Sequence, residues 1–322
     1  AHGQWQILHE KKPIKDLIAD PQTAPPLKHK FELILAARDF AKTNLSLKVD
    51  DAYSEYADLK RPYVVWNIVA TEEFSTEPEE FCFPIAGCLR YKGYFDEAMA
   101  RRDAEALKAE NHDVYLGGVA AYSSLGWFAD PILNTFINRD DAWLVALIFH
   151  ESTHRTLYFP GDSRFNESLA TAVEQTGLKQ WMAAHGTPAQ LNAYQVNSQR
   201  QVEFVTLVGQ YKNKLDDYFA YSQTLSLEQR RAGKAAIYAD LNKHYVELRN
   251  SWGGYSGYDN WFNDNLNNAK LSAVATYNDL TPLFNQLLEK LNYNYAAFFD
   301  KLRTLEKHPP DQRISELHHW LQ

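Results

Sequence analysis

The sequence predicts an α+β fold dominated by helix. Three observations support this prediction: helical patterning over the first 60 residues, a short region of strand-like composition after it, and helical stretches that dominate from residue 190 onward. Blocks of strand and helix that do not alternate strictly are typical of α+β proteins. The 322 residues suffice for one large domain or two modest ones with an ample core.

The predicted elements of the first half follow from local composition. Pro25 and Pro26 precede a helix, as prolines do at a first helical turn. Val, Ile, Tyr and Trp mark strands, and Pro or Gly interrupts them. The later elements come in this order: a strand over residues 63–70, short strands within 81–94, a helix over 96–110, a strand over 114–122, and two helices around the Pro160-Gly161 turn.

Helices complete the second half. Residues 201–222 and 227–250 predict a helical hairpin, in which Ser226 and Gln229 form a capping box. Residues 280–305 and 314–321 predict further helices. We therefore expect three consecutive segments: an N-terminal helical segment, residues 1–62; a core with a small sheet, residues 63–185; and an α-helical C-terminal region, residues 186–322.

Composition excludes several classes of function. A net charge of −8 and the lack of any Lys or Arg block argue against a nucleic-acid partner. No run of eighteen apolar residues occurs, so no membrane span is expected in this chain. The chain starts at Ala1 without a signal sequence, and we expect that a leader was removed. Cys82 and Cys88 form either a small disulfide loop or two free buried thiols.

One motif predicts metal chemistry. His150-Glu151-Ser152-Thr153-His154 follows an apolar run, residues 142–149, that is typical of a buried helix. Residues four apart share a helix face, so both imidazoles can bind one ion. Glu151 suits a general base that takes a proton from metal-bound water. A pair of hydrogen-bonded helix histidines beside a surface glutamate is the structural alternative, but buried His and Glu need partners.

A second helix supplies the remaining groups of the predicted site. A turn at Pro160-Gly161 separates the two helices: the first should end near Tyr158, and Ser163 can cap the second. Residues equidistant from the turn should lie side by side. Glu167 is then level with His154 and is the expected third ligand. Glu174 lies near His150 and is expected to orient that imidazole without binding the metal. Two His and one Glu leave a fourth position for water, so the sequence predicts one catalytic Zn²⁺ ion.

The metal motif and several other stretches of the chain resemble known protein families. The motif with Asn166-Glu167 and Glu174 resembles the gluzincin metallopeptidases, and the whole chain is similar to a bacterial family of predicted aminopeptidases, many of them envelope lipoproteins. The resemblance implies a zincin-like catalytic core, a peptide substrate, a periplasmic location and a lipid anchor outside this chain. The stretches that match are residues 3–8, 83–88, 115–123, 126–131, 252–255 and 267–271, together with the hairpin of the metal motif.

The substrate-binding residues are predicted less directly. Gly117 and Gly118, in the strand before the metal helix, could admit a peptide backbone, although a bent strand explains them equally well. A Tyr or His of the downstream half usually stabilises the oxyanion in gluzincins. The resemblance leaves Tyr255, Tyr258, Tyr277 and His244 as candidates, of which Tyr277 is the first choice. Tyr255 is also a candidate substrate-binding residue.

The sequence is compatible with more than one function for the predicted zinc site. Zinc aminopeptidases of the well-known type carry a Gly-x-Met-Glu-Asn segment that holds the α-amine, and this chain has none. An aminopeptidase is the first hypothesis. The alternatives are a zinc endopeptidase or other amide hydrolase, and a non-enzymatic envelope protein that keeps the zinc hairpin for structure.

Overall fold

A computed structural model of the protein describes residues 11–83, 87–120, 130–274 and 280–322. The predicted α+β fold dominated by helix is confirmed. The elements, in chain order, are β1 Lys12–Pro13, α1 Ile14–Ala19, α2 Pro25–Asn44, β2 Glu55–Ala57, β3 Val65–Thr71, β4 Phe81–Phe83, β5 Gly87–Leu89, β6 Lys92–Tyr94, α3 Glu97–Ala109, β7 Asp113–Val119, β8 Ile132–Leu133, α4 Asp141–Thr156, α5 Ser163–His185, α6 Pro188–Tyr221, α7 Leu227–Ser251, α8 Asp259–Asn263, α9 Asn268–Val274, α10 Thr281–Lys290, α11 Tyr295–Arg303 and α12 Pro310–Leu321.

The chain divides into two compact units, and neither is continuous in sequence. The first unit comprises Ala1–Val64, Ala120–Tyr194 and Tyr277–Gln322, and the second comprises Val65–Val119 and Gln195–Thr276. The three segments expected from the sequence, in contrast, follow one another along the chain. Compact units assembled from distant stretches are set by tertiary packing, which order along the chain does not reveal.

The helices α4 and α5 form the centre of the first unit, with α2 packed on α4 and α10 packed on α5. Gly177 of α5 allows the close approach: a Cβ atom there would lie 2.6 Å from Leu45 and 3.1 Å from Phe149. A small sheet in the order β1-β2-β8 completes this unit, with β1 antiparallel and β8 parallel to β2.

The C-terminal helix α12 contacts the start of α5 through a buried ion pair. Arg313 of α12 donates to the carboxylate of Asp162 at 2.7 Å, and both side chains are almost wholly buried. The Arg313 guanidinium also lies 4.8 Å from the centre of the Phe159 ring. Removal of one partner of a buried ion pair leaves an uncompensated charge and costs about 3–5 kcal/mol, so loss of either side chain alone should destabilise the α4–α5 hairpin.

The second unit combines an antiparallel sheet with a helical hairpin. The sheet has the order β6-β3-β7, and the apolar face of α3 packs on it through Ala100 and Ala104. The hairpin of α6 and α7 encloses its own apolar core. The predicted capping box of Ser226 and Gln229 is present at the start of α7.

A disulfide bond joins Cys82 and Cys88, which face each other across β4 and β5. Of the two possibilities left open by the sequence, the bonded one is therefore realised. Among the helices of the described ranges, none has both the length and the apolar character that crossing a membrane requires.

Several predicted boundaries were wrong for identifiable reasons. The first 60 residues contain strands β1 and β2. At two and three residues, these strands are too short to show the alternation of apolar and polar residues that would identify them in the sequence. The helical stretch expected over residues 280–305 comprises two helices, which are separated where Asn292 and Tyr293 adopt positive φ angles of 52° and 57°. Asn294 then caps the next helix by accepting from the Ala297 N–H at 3.1 Å.

Candidate metal centre

The helix α4 carries the candidate ligands near its C-terminal end. At its start, Asp140 accepts a hydrogen bond from the backbone N–H of Trp143 at 2.8 Å and so satisfies one of the free donors of the first turn. His150 and His154 lie one helical turn apart, and their Nε2 atoms are 3.3 Å from each other. Both imidazoles therefore converge on one point.

A tight turn sets the register between α4 and α5. The N–H of Asp162 donates to the Phe159 carbonyl at 3.2 Å, and Gly161 has a φ of 77°. Pro160 followed by a left-handed glycine is typical of a type II turn. The buried side chain of Asn166 closes it, accepting from the Phe159 N–H at 2.8 Å and donating to the Phe159 carbonyl at 2.7 Å.

The first turn of α5 differs slightly from the prediction. Ser163 was expected to cap this helix, but it is the first helical residue and Asp162 is the cap. The Asp162 carboxylate accepts from the Phe165 N–H at 3.2 Å. The preceding helix ends at Thr156, close to the expected Tyr158. The antiparallel pairing of the two helices is as predicted, and it brings Glu167 beside the histidines.

Three candidate ligand side chains come together at spacings that suit one metal ion. His150 Nε2 lies 3.3 Å from Glu167 Oε2, and His154 Nε2 lies 3.5 Å from Glu167 Oε1. Ligands at about 2.0–2.1 Å from a tetrahedral zinc ion stand roughly 3.3 Å apart. Two imidazoles and one carboxylate could therefore hold zinc here. The His154 side chain is 5% exposed and that of Glu167 is 39% exposed, so the site opens to solvent beside Glu167.

Glu174 contacts the other nitrogen of His150. Its Oε2 lies 2.9 Å from His150 Nδ1. A carboxylate at that position favours the tautomer with the proton on Nδ1 and leaves the Nε2 lone pair free for a metal. Glu174 therefore lies where it could orient the imidazole, as predicted from the sequence.

The pKa values of the two imidazoles move in opposite directions. Burial alone would lower the pKa of His150, but hydrogen bonds to Glu167 and Glu174 outweigh it and raise that pKa to about 10. Burial and the charge of His150 lower the pKa of His154 to about 4. Because a metal-binding imidazole must offer a free lone pair, a cation at Nε2 of His150 would compete with a proton there.

Tyr53 and Asn166 were missed from the sequence. Tyr53 is 3% exposed and has a φ of 57°. Its pKa is raised well above the ordinary value by burial and by the charge of half-buried Glu151, so the two groups share one electrostatic environment. No sequence signal distinguishes Tyr53 from the other tyrosines. Asn166 could have been found from its position after the Pro-Gly turn and beside Glu167.

Three of the other predicted site residues belong to the second unit. Gly117 and Gly118 lie in β7, an edge strand among the described residues, and belong to the second unit. Tyr255 also belongs to the second unit, where the guanidinium of Arg200 lies 4.1 Å from the centre of its ring. Tyr277, the predicted oxyanion stabiliser, lies outside the described residues.

We predict that Asn166→Ala lowers the free energy of unfolding by about 2–4 kcal/mol, because two buried hydrogen bonds to Phe159 are lost. Chemical denaturation measures this difference. Asn192→Ala, at an exposed position of α6, is the matched control and should change stability little. A loss at Asn166 no larger than that of the control would show that the turn does not depend on this side chain.

Comparison with known proteins places the chain in a family. The model of a family described as "Putative aminopeptidase" matches residues 1–317. No curated protein and no solved structure matches the chain. Because the family match spans almost the whole length, it includes both compact units and the histidine pair of α4. The chain belongs to this family of putative aminopeptidases.

Proposed function

We propose that the protein is a zinc-dependent aminopeptidase whose ion is bound by His150, His154 and Glu167. The observation that supports the proposal is the convergence of three side chains: each pair of them has possible ligand atoms 3.3–3.5 Å apart, and Glu167 approaches the two histidines with different carboxylate oxygens. The family to which the chain belongs supports the peptidase part. Three protein ligands leave one tetrahedral position for water, as in catalytic zinc sites.

The roles of the surrounding residues follow from this arrangement. Bound zinc would supply a Lewis acid that lowers the pKa of water and polarises a peptide carbonyl. Glu151 would take the proton from that water and pass it to the leaving amine. Glu174 would hold the Nδ1–H of His150. In this proposal the α4–α5 hairpin is the core of a zincin-like, gluzincin-type site.

Two kinds of substrate test the activity. A panel of aminoacyl chromogenic substrates reports cleavage that depends on a free amino terminus. An internally quenched peptide with a blocked amino terminus reports cleavage that does not. We expect turnover of the first kind only. Turnover of the blocked peptide alone would indicate an endopeptidase, and turnover of neither by zinc-loaded protein would indicate a non-enzymatic role for the hairpin.

Glu174→Gln should weaken zinc binding about 10–100-fold without abolishing it, because the amide holds His150 Nδ1 less well than a carboxylate does. Competition with a chromogenic chelator measures the affinity. Glu247→Gln, at an exposed position of α7, is the matched control. If Glu174→Gln lost all of its metal while Glu167→Gln kept it, Glu174 would be the metal ligand and Glu167 would not.

We also propose that the protein works in the bacterial periplasm. The Cys82–Cys88 disulfide supports this location, because structural disulfides form and persist in oxidising compartments. Fractionation of the producing bacterium, followed by thiol labelling before and after reduction, tests it. Protein found in the cytoplasmic fraction with both thiols free would contradict this part of the proposal.

A further inference from the structure

A groove of about 620 Å³ lies within the second unit, beside the loop that follows β3. Its lining is of mixed character, with aromatic and charged side chains together. Phe74 and Phe219 form an apolar floor, with ring centres 5.8 Å apart in an edge-to-face arrangement. The charged residues around this floor are Glu72, Glu73, Asp216 and Arg230.

The loop that forms one wall is held by buried side chains. Asn268 is fully buried, and its Nδ2 donates to the carbonyl oxygens of Glu73 and Ser75 at 3.0 and 2.9 Å. Lys234 Nζ donates to the same Glu73 carbonyl at 2.7 Å and to the Asp113 carboxylate at 2.6 Å. The groove is therefore preorganised, as binding sites commonly are.

Two of the acidic groups are already paired within the protein. The carboxylate of Glu73 accepts from Arg231 Nε at 2.6 Å and from Arg231 Nη2 at 3.0 Å. Asp216 accepts from Lys212 Nζ at 3.0 Å and from the Thr76 hydroxyl. Neither carboxylate needs a ligand to balance its charge.

Arg230 and Glu72 form no direct ion pair of this kind with the residues that the structure describes. The charge of Arg230 nevertheless contributes, after the contacts with Arg231 and Lys234, to the lowered pKa of Glu73. The Arg230 guanidinium stacks 3.9 Å from the centre of the Phe74 ring, and its buried Nε has no hydrogen-bond partner among the described residues. Arg230 also lines the groove, and a carboxylate matches the fork of a guanidinium. The exposed carboxylate of Glu72 likewise has no hydrogen-bonding or ionic partner within the described part of the chain.

We propose that this groove binds an α-amino acid or dipeptide with a free amine, a free carboxylate and an apolar side chain. Arg230 binds the carboxylate, Glu72 binds the ammonium group, and the apolar side chain rests on Phe74 and Phe219. Because the groove offers one negative and one positive side chain beside an aromatic surface, it matches a zwitterionic ligand better than a ligand that carries only one kind of charge. All of these residues belong to the second unit, so the inference does not depend on the metal chemistry proposed above.

Calorimetric titration of the full chain with L-phenylalanine tests the carboxylate contact. We expect L-phenylalaninamide to bind about tenfold more weakly than L-phenylalanine, because one charge-assisted contact to Arg230 is lost. Arg230→Gln should lower the affinity for L-phenylalanine by the same factor and bind the two compounds alike. Arg101→Gln is the matched control, because Arg101 is an exposed arginine of the same unit, paired with Glu97.

N-acetyl-L-phenylalanine tests the amine contact in the same way. It should bind the wild-type chain about tenfold more weakly than L-phenylalanine, and Glu72→Gln should remove that difference. The comparison of L-phenylalanine with its amide and with its N-acetyl derivative uses wild-type protein, so it tests both contacts even if a variant fails to fold. Equal binding of acid and amide, unchanged binding by Arg230→Gln, or no binding of L-phenylalanine at millimolar concentration would overturn the proposal.

Discussion

Replacing either His150 or His154 by alanine is expected to abolish stoichiometric zinc binding, whereas the wild-type chain should carry one ion. Each imidazole is one of three side chains whose possible ligand atoms lie 3.3–3.5 Å apart pair by pair, and the two side chains that remain cannot complete a tetrahedral protein site. Elemental analysis of the purified proteins measures the zinc content. Zinc at full occupancy in either variant would remove that histidine from the ligand set.

A matched variant and a chelator separate metal loss from misfolding. His319→Ala, at an exposed position of α12, should keep its zinc. Because an ion that binds only the folded chain stabilises it, a chelator should lower the melting temperature of wild type and of His319→Ala. It should leave the two metal-site variants unchanged, since they have no ion to lose. A melting temperature of His154→Ala that still responds to chelator would indicate a remaining site.

The proximity of the four candidate site residues could be predicted because it depends on local geometry. His150 and His154 share a helix face by their spacing alone. The Pro160-Gly161 turn then fixes which residues of the next helix lie opposite, and this brings Glu167 and Glu174 to the two histidines. Their proximity is confirmed, while their functions as ligands and as orienting group stay predictions that the variants above test.

The features that could not be predicted depend on contacts between distant parts of the chain. Tyr53 shares the environment of Glu151 across about one hundred residues of sequence, and Arg313 pairs with Asp162 across 151 residues. Nothing in the local sequence around Tyr53 or Arg313 signals its partner. The interleaving of the two compact units has the same origin, because each unit draws on separate stretches whose pairing only tertiary packing decides.

Changing Glu151 to glutamine should leave zinc binding intact and lower hydrolysis by about 10²–10⁴-fold, the range that general acid–base groups contribute. Glutamine keeps the size of the side chain but cannot take up a proton. Glu151 follows His150 directly and contributes to the raised pKa of that imidazole, so its charge acts at the metal site, although it is not one of the three convergent ligands.

The experiment compares zinc content and turnover in the same preparations, with whichever of the two substrate kinds the wild-type chain cleaves. Glu247→Gln, at an exposed position of α7, controls for the loss of one negative charge and should match wild type in both measurements. A Glu151→Gln protein that keeps zinc and turns over near the wild-type rate would exclude Glu151 as the base. If it loses the ion as well, Glu151 instead takes part in metal binding, since a general base outside the ligand set leaves zinc affinity intact.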